Sequence, residues 1–572
     1  MPRRQLHPPE RVADYTARGW WSQDTMDPLF RAQVARQPDR LAVVDPANKV
    51  ALVGTEPRRL TWRELDGEVD RLAAVLLDQG ATPGDVLAVQ LPNTVELVMA
   101  YLAAWRIGVI VTPFPVQFRE HEIVELAGLA SASLFLTSTR IGDREAAAEI
   151  AGYSAPSVRA VLAFGADVPP GVLSADELMA SVASFGDKSA TATSTVDPYI
   201  ADPNECVTIC WTSGTESTPK GVPRCHYDWL AICWGTVDAP RLTEDDVLLN
   251  PFPMVNMAGI NGMFLPWLRV GCVLVQHHPF DLPTFLGQIG SEGVTYTVAP
   301  PALLTLLLHR PEMLSAADIS TLKQIGSGSV PLQPPMVRGW QDRGIGIINF
   351  FGSNEGIALL TDPHDVPDPE QRARFFPRYG TPGHTWSSRI AEWTSVRLVD
   401  PVTGAEVTEP GTPGELRIKG PTVFAGYLHG DRLPSPFDEQ GYLRTGDVFV
   451  IAGEDHQFLE YVDRAKDLVI RGGMNIAPAE LEGLIAGHPS VADVAIVGYP
   501  DDVLGEKVCA VVVPREGATV ELADLVGFLR DKRIASYKLP EYLRVRTALP
   551  RNPVGKILKR ELRDEIAKEA SA

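Results

Sequence analysis

Between Cys210 and Gly221 the chain reads Cys-Trp-Thr-Ser-Gly-Thr-Glu-Ser-Thr-Pro-Lys-Gly. Hydroxyls at Thr212, Ser213 and Thr215, a glycine at Gly214 and one cation at Lys220 follow an apolar run, 207–211, that reads as a buried strand. Such a loop offers backbone N–H groups, hydroxyls and an ammonium to a polyphosphate. Its small residues let phosphate oxygens approach the backbone. It is not a Walker P-loop, which needs Gly before the lysine and Ser/Thr after it; Pro219 and Gly221 stand there. Most Ser/Thr/Gly clusters are polar surface turns, so the stretch alone decides nothing.

The elements around it alternate. A helix over 27–37 and a strand over 41–44 precede Thr61-Trp-Arg-Glu64, a capping box. Leu65, Val69, Leu72, Val75 and Leu76 continue from it at helical spacing. Strands are expected over 86–91, 108–112, 133–137 and 158–164, with a helix over 94–105 among them. This rhythm predicts a parallel sheet covered on both faces. Residues 189–203, rich in Ser, Thr and Asp, read as a surface connection into the loop, and a helix is expected to run to Val237. Beyond residue 468 the units are smaller: helix 478–487, strands 491–498 and 508–514, helix 520–532 and strand 542–546. That is about the size of one small domain.

Bulk properties set limits. At 572 residues the chain exceeds a single core, which stops growing near roughly 250–300 residues. Lys plus Arg number 52 and Asp plus Glu 72, a net charge of −20 that no basic run offsets. Nucleic acid and anionic membranes are therefore not expected partners. The six cysteines (Cys206, Cys210, Cys225, Cys233, Cys272, Cys509) form no Cys-x-x-Cys and no ligand set with a histidine. They read as reduced, buried side chains of a cytoplasmic protein. The N-terminus has no apolar segment behind its two arginines, so no signal peptide is read. The longest clean apolar run, 97–105, falls short of the ~20 residues of a membrane span.

The loop resembles the phosphate-binding loop of the adenylate-forming superfamily, which includes acyl-CoA and aryl-CoA ligases, peptide-synthetase adenylation domains and luciferases. That family's pattern is Thr-Ser-Gly-Thr-(Thr/Ser)-Gly-x-Pro-Lys-Gly; the departures are Glu216 and Ser217. Further segments stand in family order. They are Pro251-Phe-Pro-Met-Val-Asn256-Met-Ala-Gly259, Val298-Ala-Pro-Pro301, Gly326-Ser-Gly328 and Asn349-Phe350-Phe351-Gly352-Ser-Asn354-Glu355. Then come Thr445-Gly446-Asp447, Asp463-Arg464-Ala-Lys466, Gly472-Gly473 and Pro553-Val-Gly555-Lys556. The resemblance covers roughly residues 61–556.

It implies an α/β fold. A large N-terminal adenylate-forming domain (1–465), with parallel sheets packed by helices, would be joined at Lys466 to a small mobile α+β C-terminal domain (467–572). It implies a ligase using ATP, Mg²⁺ and coenzyme A. Thr212, Ser213, Gly214, Thr215 and Lys220 would meet the phosphates. Gly328, Phe350, Phe351, Gly352 and Asn354 would lie about the nucleotide. Glu355 would hold Mg²⁺, which favours carboxylate and phosphate oxygens. Asp447, with two acceptor oxygens, and Arg464 would contact the ribose. Gly472 and Gly473 would line the thiol's approach, and Lys556, with Glu355, would be catalytic. Phe252, Asn256, Met257, Gly259 and Ile260 would bind the acid; Asn256 after Pro253 also reads as a turn former. No Lys or Arg stands near this apolar set, which suits a hydrophobic acid, aromatic or alicyclic rather than a long chain.

Two other readings stay open. One is an aryl-acid adenylase that loads the phosphopantetheine thiol of a carrier protein; Pro223-Arg-Cys-His226-Tyr-Asp228-Trp resembles such enzymes. The other is a non-catalytic nucleotide-binding protein, which Lys556, Asp447 and Glu355 together argue against. A second copy of the chain is left open as a partner.

Overall fold

The computed structural model describes residues 5–185, 196–197, 199–212, 219–315, 317–401, 403–464, 467–471, 474–501, 504–532, 534, 536–551 and 557–570. They divide into two compact units. The first takes the chain up to Thr212, then Pro219–Ser395 and Ile418–Leu443. The second takes Val396–Arg417 and the chain from Arg444 onward. The fold is α/β with mixed, mainly parallel sheets, as the alternation of elements anticipates.

The first unit holds two sheets. One has eight strands in the order Ala358–Thr361, Gly346–Gly352, Gln324–Gly328, Tyr296–Val298, Val247–Asn250, Val273–Gln276, Leu41–Val44, Arg59–Thr61. Its inner pairings are parallel and the two edge pairings antiparallel. The other has seven strands, Leu173–Ser174, Ala160–Phe164, Leu134–Ser138, Val86–Val89, Ile110–Pro113, Cys206–Thr212, Lys220–Cys225. It is parallel except for its last pair.

Local chemistry sets the helices. Thr61 Oγ1 accepts from Glu64 N while the Glu64 carboxylate accepts from Thr61 N at 2.8 Å. From that capping box the helix Trp62–Asp78 runs with Leu65, Val69, Leu72, Val75 and Leu76 buried. Each such side chain contributes roughly 1.5–3 kcal/mol of burial. The apolar run at 97–105 lies in the helix Val95–Arg106, every residue of which is buried. Its first turn is fixed from the residue that follows the strand Leu41–Val44, where Asp45 Oδ1 accepts from Val95 N at 2.7 Å. Among the described residues no helix is long and apolar enough to cross a membrane.

In the second unit the strands Val491–Asp501 and Gly505–Pro514 form a long antiparallel pair. The short strands Val469–Arg471 and Met474–Ile476 and the parallel strand Tyr542–Val545 extend it. Alternation along Val491–Asp501 sends Val494 and Ile496 into a core with Leu481, Ile485, Leu525 and Leu529. It sends Ala495 and Val497 into another with Leu562 and Ile566. The sheet is therefore covered on both faces, which is why these strands read as continuous apolar runs. All six cysteines are buried and none is joined in a disulfide.

Candidate active site

The strands Cys206–Thr212 and Lys220–Cys225 are antiparallel partners, with Thr212 opposite Lys220 and Trp211 opposite Gly221. They carry the hydroxyl-rich loop at their ends. Residues 213–218, with Ser213, Gly214 and Thr215, lie outside the described residues, as do Lys466, Gly472, Gly473 and Lys556. The sequence offers no sign of the second strand, because Gly221 and Pro223 depress strand propensity; the helix expected to run to Val237 follows it as His226–Asp238. Pairing overrides those two residues. Gly221 is also held close, its carbonyl accepting from Leu428 N at 2.9 Å.

Glu355 sits in a turn whose carbonyls are all taken. Asn354 O accepts from Arg224 at 2.8 Å. Glu355 O accepts from Phe424 N at 2.9 Å, and Gly356 O from Thr422 Oγ1 at 2.9 Å. Gly356 has φ +106°, and a Cβ there would lie 2.0 Å from Thr422 O, so glycine is required. The half-buried Glu355 side chain is aimed by Tyr427, whose hydroxyl donates to Oε1 at 3.0 Å. The Lys220 ammonium lies 5.2 Å from the centre of the same Tyr427 ring. One aromatic side chain thus touches both the lysine and the carboxylate expected on the phosphate side.

Arg224 anchors this arrangement from beneath. It is fully buried, pairs with Asp228 at 2.9 Å and also donates to Thr422 O at 2.9 Å. Asp228 meets His7 at 3.4 Å. The sequence reading found no histidine set around a cysteine, yet His7, Cys225 and Asp228 come together within 4.8 Å in the fold. The Arg224 cation already neutralises Asp228 there, which disfavours a metal. His226 is occupied too: its Nδ1 accepts from Met26 N at 3.1 Å, and burial pushes the imidazole down to about 3.

At the segment expected to meet the acid, Asn93 fixes residues 252–254. It donates to Phe252 O at 2.8 Å and accepts from Met254 N at 3.2 Å. Asn256 caps the short helix Met257–Gly259, its Oδ1 accepting from Ala258 N at 3.0 Å and Gly259 N at 3.4 Å. The turn-former reading therefore describes its oxygen, and only its N–H₂ end is left to offer a ligand. A Cβ at Gly259 would lie 2.2 Å from Pro253 O. A π-helical turn, Ile260–Phe264, follows; such turns are frequent at functional sites. Ile260 and Met254 are fully buried, whereas Phe252, Asn256 and Met257 keep partial exposure.

Asn354 ties Met257 to Trp211, the residue before Thr212. Its Oδ1 accepts from Met257 N at 2.8 Å, and its Nδ2 reaches Trp211 O at 3.5 Å. Both ends of the amide thus meet backbone. Phe350 and Phe351 alternate along their strand. Phe350 lies over Gly326, and Phe351 packs against Phe376 with ring centres 5.7 Å apart. A Cβ at Gly328 would meet Phe350 O at 2.2 Å, and Gly352 is exposed. In the second unit Asp447 and Arg464 are opposite residues on paired strands and form an ion pair at 2.6 Å. Sequence reasoning missed Arg224 and Tyr427 as site supports, since Asn354, Thr422 and Glu355, which they hold, lie far away in the chain.

Residues 30–428 match the AMP-binding enzyme family, and residues 480–556 match the AMP-binding enzyme C-terminal domain. The chain belongs to the AMP-binding enzymes, a family of acid–thiol ligases. It is 31% identical to an indoleacetate–CoA ligase of Aromatoleum aromaticum, over 93% of this chain and 98% of the relative. It is 31% identical to the salicyl-AMP ligase / salicyl-S-ArCP synthetase of Mycobacterium tuberculosis, over 97% and 93%. Among solved structures it resembles ATP-bound MatB from Rhodopseudomonas palustris, with TM-score 0.76 and 26% identity, covering 95% of this chain and 99% of that one.

Proposed function

We propose that this enzyme activates a hydrophobic, ring-bearing carboxylic acid as its acyl-adenylate and transfers the acyl group to coenzyme A, releasing AMP. The observation that carries the reading is the fixed Glu355 turn, with Tyr427 touching both Glu355 and Lys220. The acid's carboxylate attacks the α-phosphate of ATP and pyrophosphate leaves. Lys220 and Lys556 offset charge on the phosphates, electrostatic stabilisation by placed cations. Glu355 fits a magnesium ion: its carboxylate is a hard oxygen donor of the kind Mg²⁺ prefers. Such an ion, when bound, would neutralise phosphate charge. Asp447 and Arg464 serve the ribose. Gly472 and Gly473 serve the thiol step after movement about Lys466.

The acid side supports a hydrophobic substrate, because Phe252 and Met257 have surface to offer and no cation stands among them. The relatives named for indoleacetate and salicylate point to aromatic acids. The second relative's carrier-protein product keeps the adenylase reading, which Arg224, His226 and Asp228 favour by resemblance. Acid-dependent pyrophosphate release, measured with and without coenzyme A, tests both. Thioester formation with coenzyme A supports the main reading. Adenylate that stays on the enzyme and transfers only to a phosphopantetheinyl carrier replaces it with the second.

A further inference from the structure

Two buried polar atoms on one sheet face have no hydrogen-bond partner among the described residues: the Tyr296 hydroxyl and Gln324 Oε1. Tyr296 is 2% exposed. The two residues are opposite one another on neighbouring parallel strands, so their side chains leave the sheet on the same face. Val298 and Gly326 come next along that face, then Gly328. A Cβ at Gly326 would lie 2.8 Å from the Tyr296 hydroxyl and 2.3 Å from the Phe350 ring. The absent side chain is what allows the hydroxyl and the ring to converge. Tyr296 shares a hydrophobic cluster with Ile260, and Phe252, Met257 and Phe350 pack against that cluster.

Buried polar side chains are nearly always paired, so two unpaired ends leaving the same sheet face call for a ligand. Resting on the acid-site reading above, we propose that Tyr296 and Gln324 form the polar floor of the acid site, and that the acid carries a hydroxyl on its ring. The Tyr296 hydroxyl donates to that oxygen, and Gln324 Oε1 accepts its proton. A hydroxyl is the small substituent that both donates and accepts; a methoxy group only accepts. Turning the Gln324 amide over exchanges the roles and leaves the match intact. At about 3.3 Å per residue, Gly328 lies ~6.6 Å beyond Gly326 along the strand, comparable with one substituted ring. With Gly328 beside the nucleotide, as the resemblance implies, the hydroxyl sits at the end of the ring remote from the carboxylate. Phe350, lying over Gly326, is then a wall of the acid site rather than a neighbour of adenine.

The test compares kcat/KM for acid-dependent pyrophosphate release between 4-hydroxybenzoate and 4-methylbenzoate, and between 6-hydroxy-2-naphthoate and 2-naphthoate. The wild-type protein should prefer the hydroxylated member of the pair it accepts by roughly tenfold or more. Tyr296→Phe should erase that preference, with the melting temperature unchanged or higher because an unpaired buried hydroxyl is gone. Gln324→Met should weaken the preference in the same direction. Wild-type preference for the methyl or bare acid, or a preference that survives both substitutions, overturns this inference and leaves the ligase reading standing. Absence of pyrophosphate release with every acid overturns both.

Discussion

The turn bearing Glu355 and the sheet face bearing Tyr296 lie in the same unit and are built on opposite principles. At the turn every carbonyl from Asn354 to Gly356 has a donor, and the Glu355 carboxylate is itself held by Tyr427. On the sheet face two polar ends are buried without partners among the described residues. A site for a fixed reactant can be completed by the protein alone, since triphosphate chemistry does not vary. A site that discriminates among acids must leave hydrogen-bonding capacity for the acid to fill, because unpaired groups reject the wrong substrate.

The largest break in this comparison should come at Gly356. Gly356→Ala meets Thr422 O and holds φ at +106°. Left-handed strain and overpacking together cost roughly 2–5 kcal/mol. Adenylation should collapse for every acid alike, and denaturant unfolding should show the loss. Next comes Tyr427→Phe, which keeps the ring beside Lys220 and removes only the hydrogen bond to Glu355. A hydrogen bond to a charged group is worth about 1.5–3 kcal/mol. Pyrophosphate exchange should fall about 10- to 100-fold, with higher Mg²⁺ needed for half-maximal rate. An unchanged Mg²⁺ requirement would show that Tyr427 does not position Glu355.

A smaller effect is expected at Asn256. Removing a capping side chain costs about 0.5–2 kcal/mol, so Asn256→Ala should raise KM for the acid severalfold and leave KM for ATP unchanged. Equal shifts in both would mean the cap supports the whole site.

The mildest prediction concerns pH. Burial holds the His226 imidazole near 3, below its ordinary 6.5. Between those values the unfolded chain binds a proton that the folded chain does not, so stability falls as pH drops, by about 1.4 kcal/mol per unit. His7, His277 and His278 are lowered in the same sense by burial. His226→Gln should therefore flatten, not abolish, the loss of stability on acidification in urea titrations from pH 6.5 downward.

Much of this was legible in the chain. The capping box at Thr61 and Glu64 and the strand Leu41–Val44 are local signals, and the fold keeps both. The order of short motifs pointed to the adenylate-forming family, which the family match bears out. What stayed hidden depends on distance along the chain. Arg224 reaches Asn354 across 130 residues and Thr422 across 198; no periodicity encodes such a contact. Tyr427 belongs to no motif in the chain, and only the fold brings it to Lys220 and Glu355. Tyr296 and Gln324 are unremarkable in sequence because an unpaired hydrogen bond is a property of the packed face. Asn256 shows the reverse case, since its turn-forming tendency was readable and its oxygen does cap a turn.

The most direct test of the division between the two regions is a crossed measurement. Wild-type, Tyr427→Phe and Tyr296→Phe proteins are assayed for kcat/KM with each hydroxylated acid and its bare or methyl counterpart, at varied Mg²⁺-ATP. Tyr427→Phe should slow all acids by one common factor and leave their ratio untouched, while Tyr296→Phe should change the ratio and leave KM for ATP unmoved. A changed acid ratio in Tyr427→Phe, or a uniform slowing in Tyr296→Phe, would contradict the account.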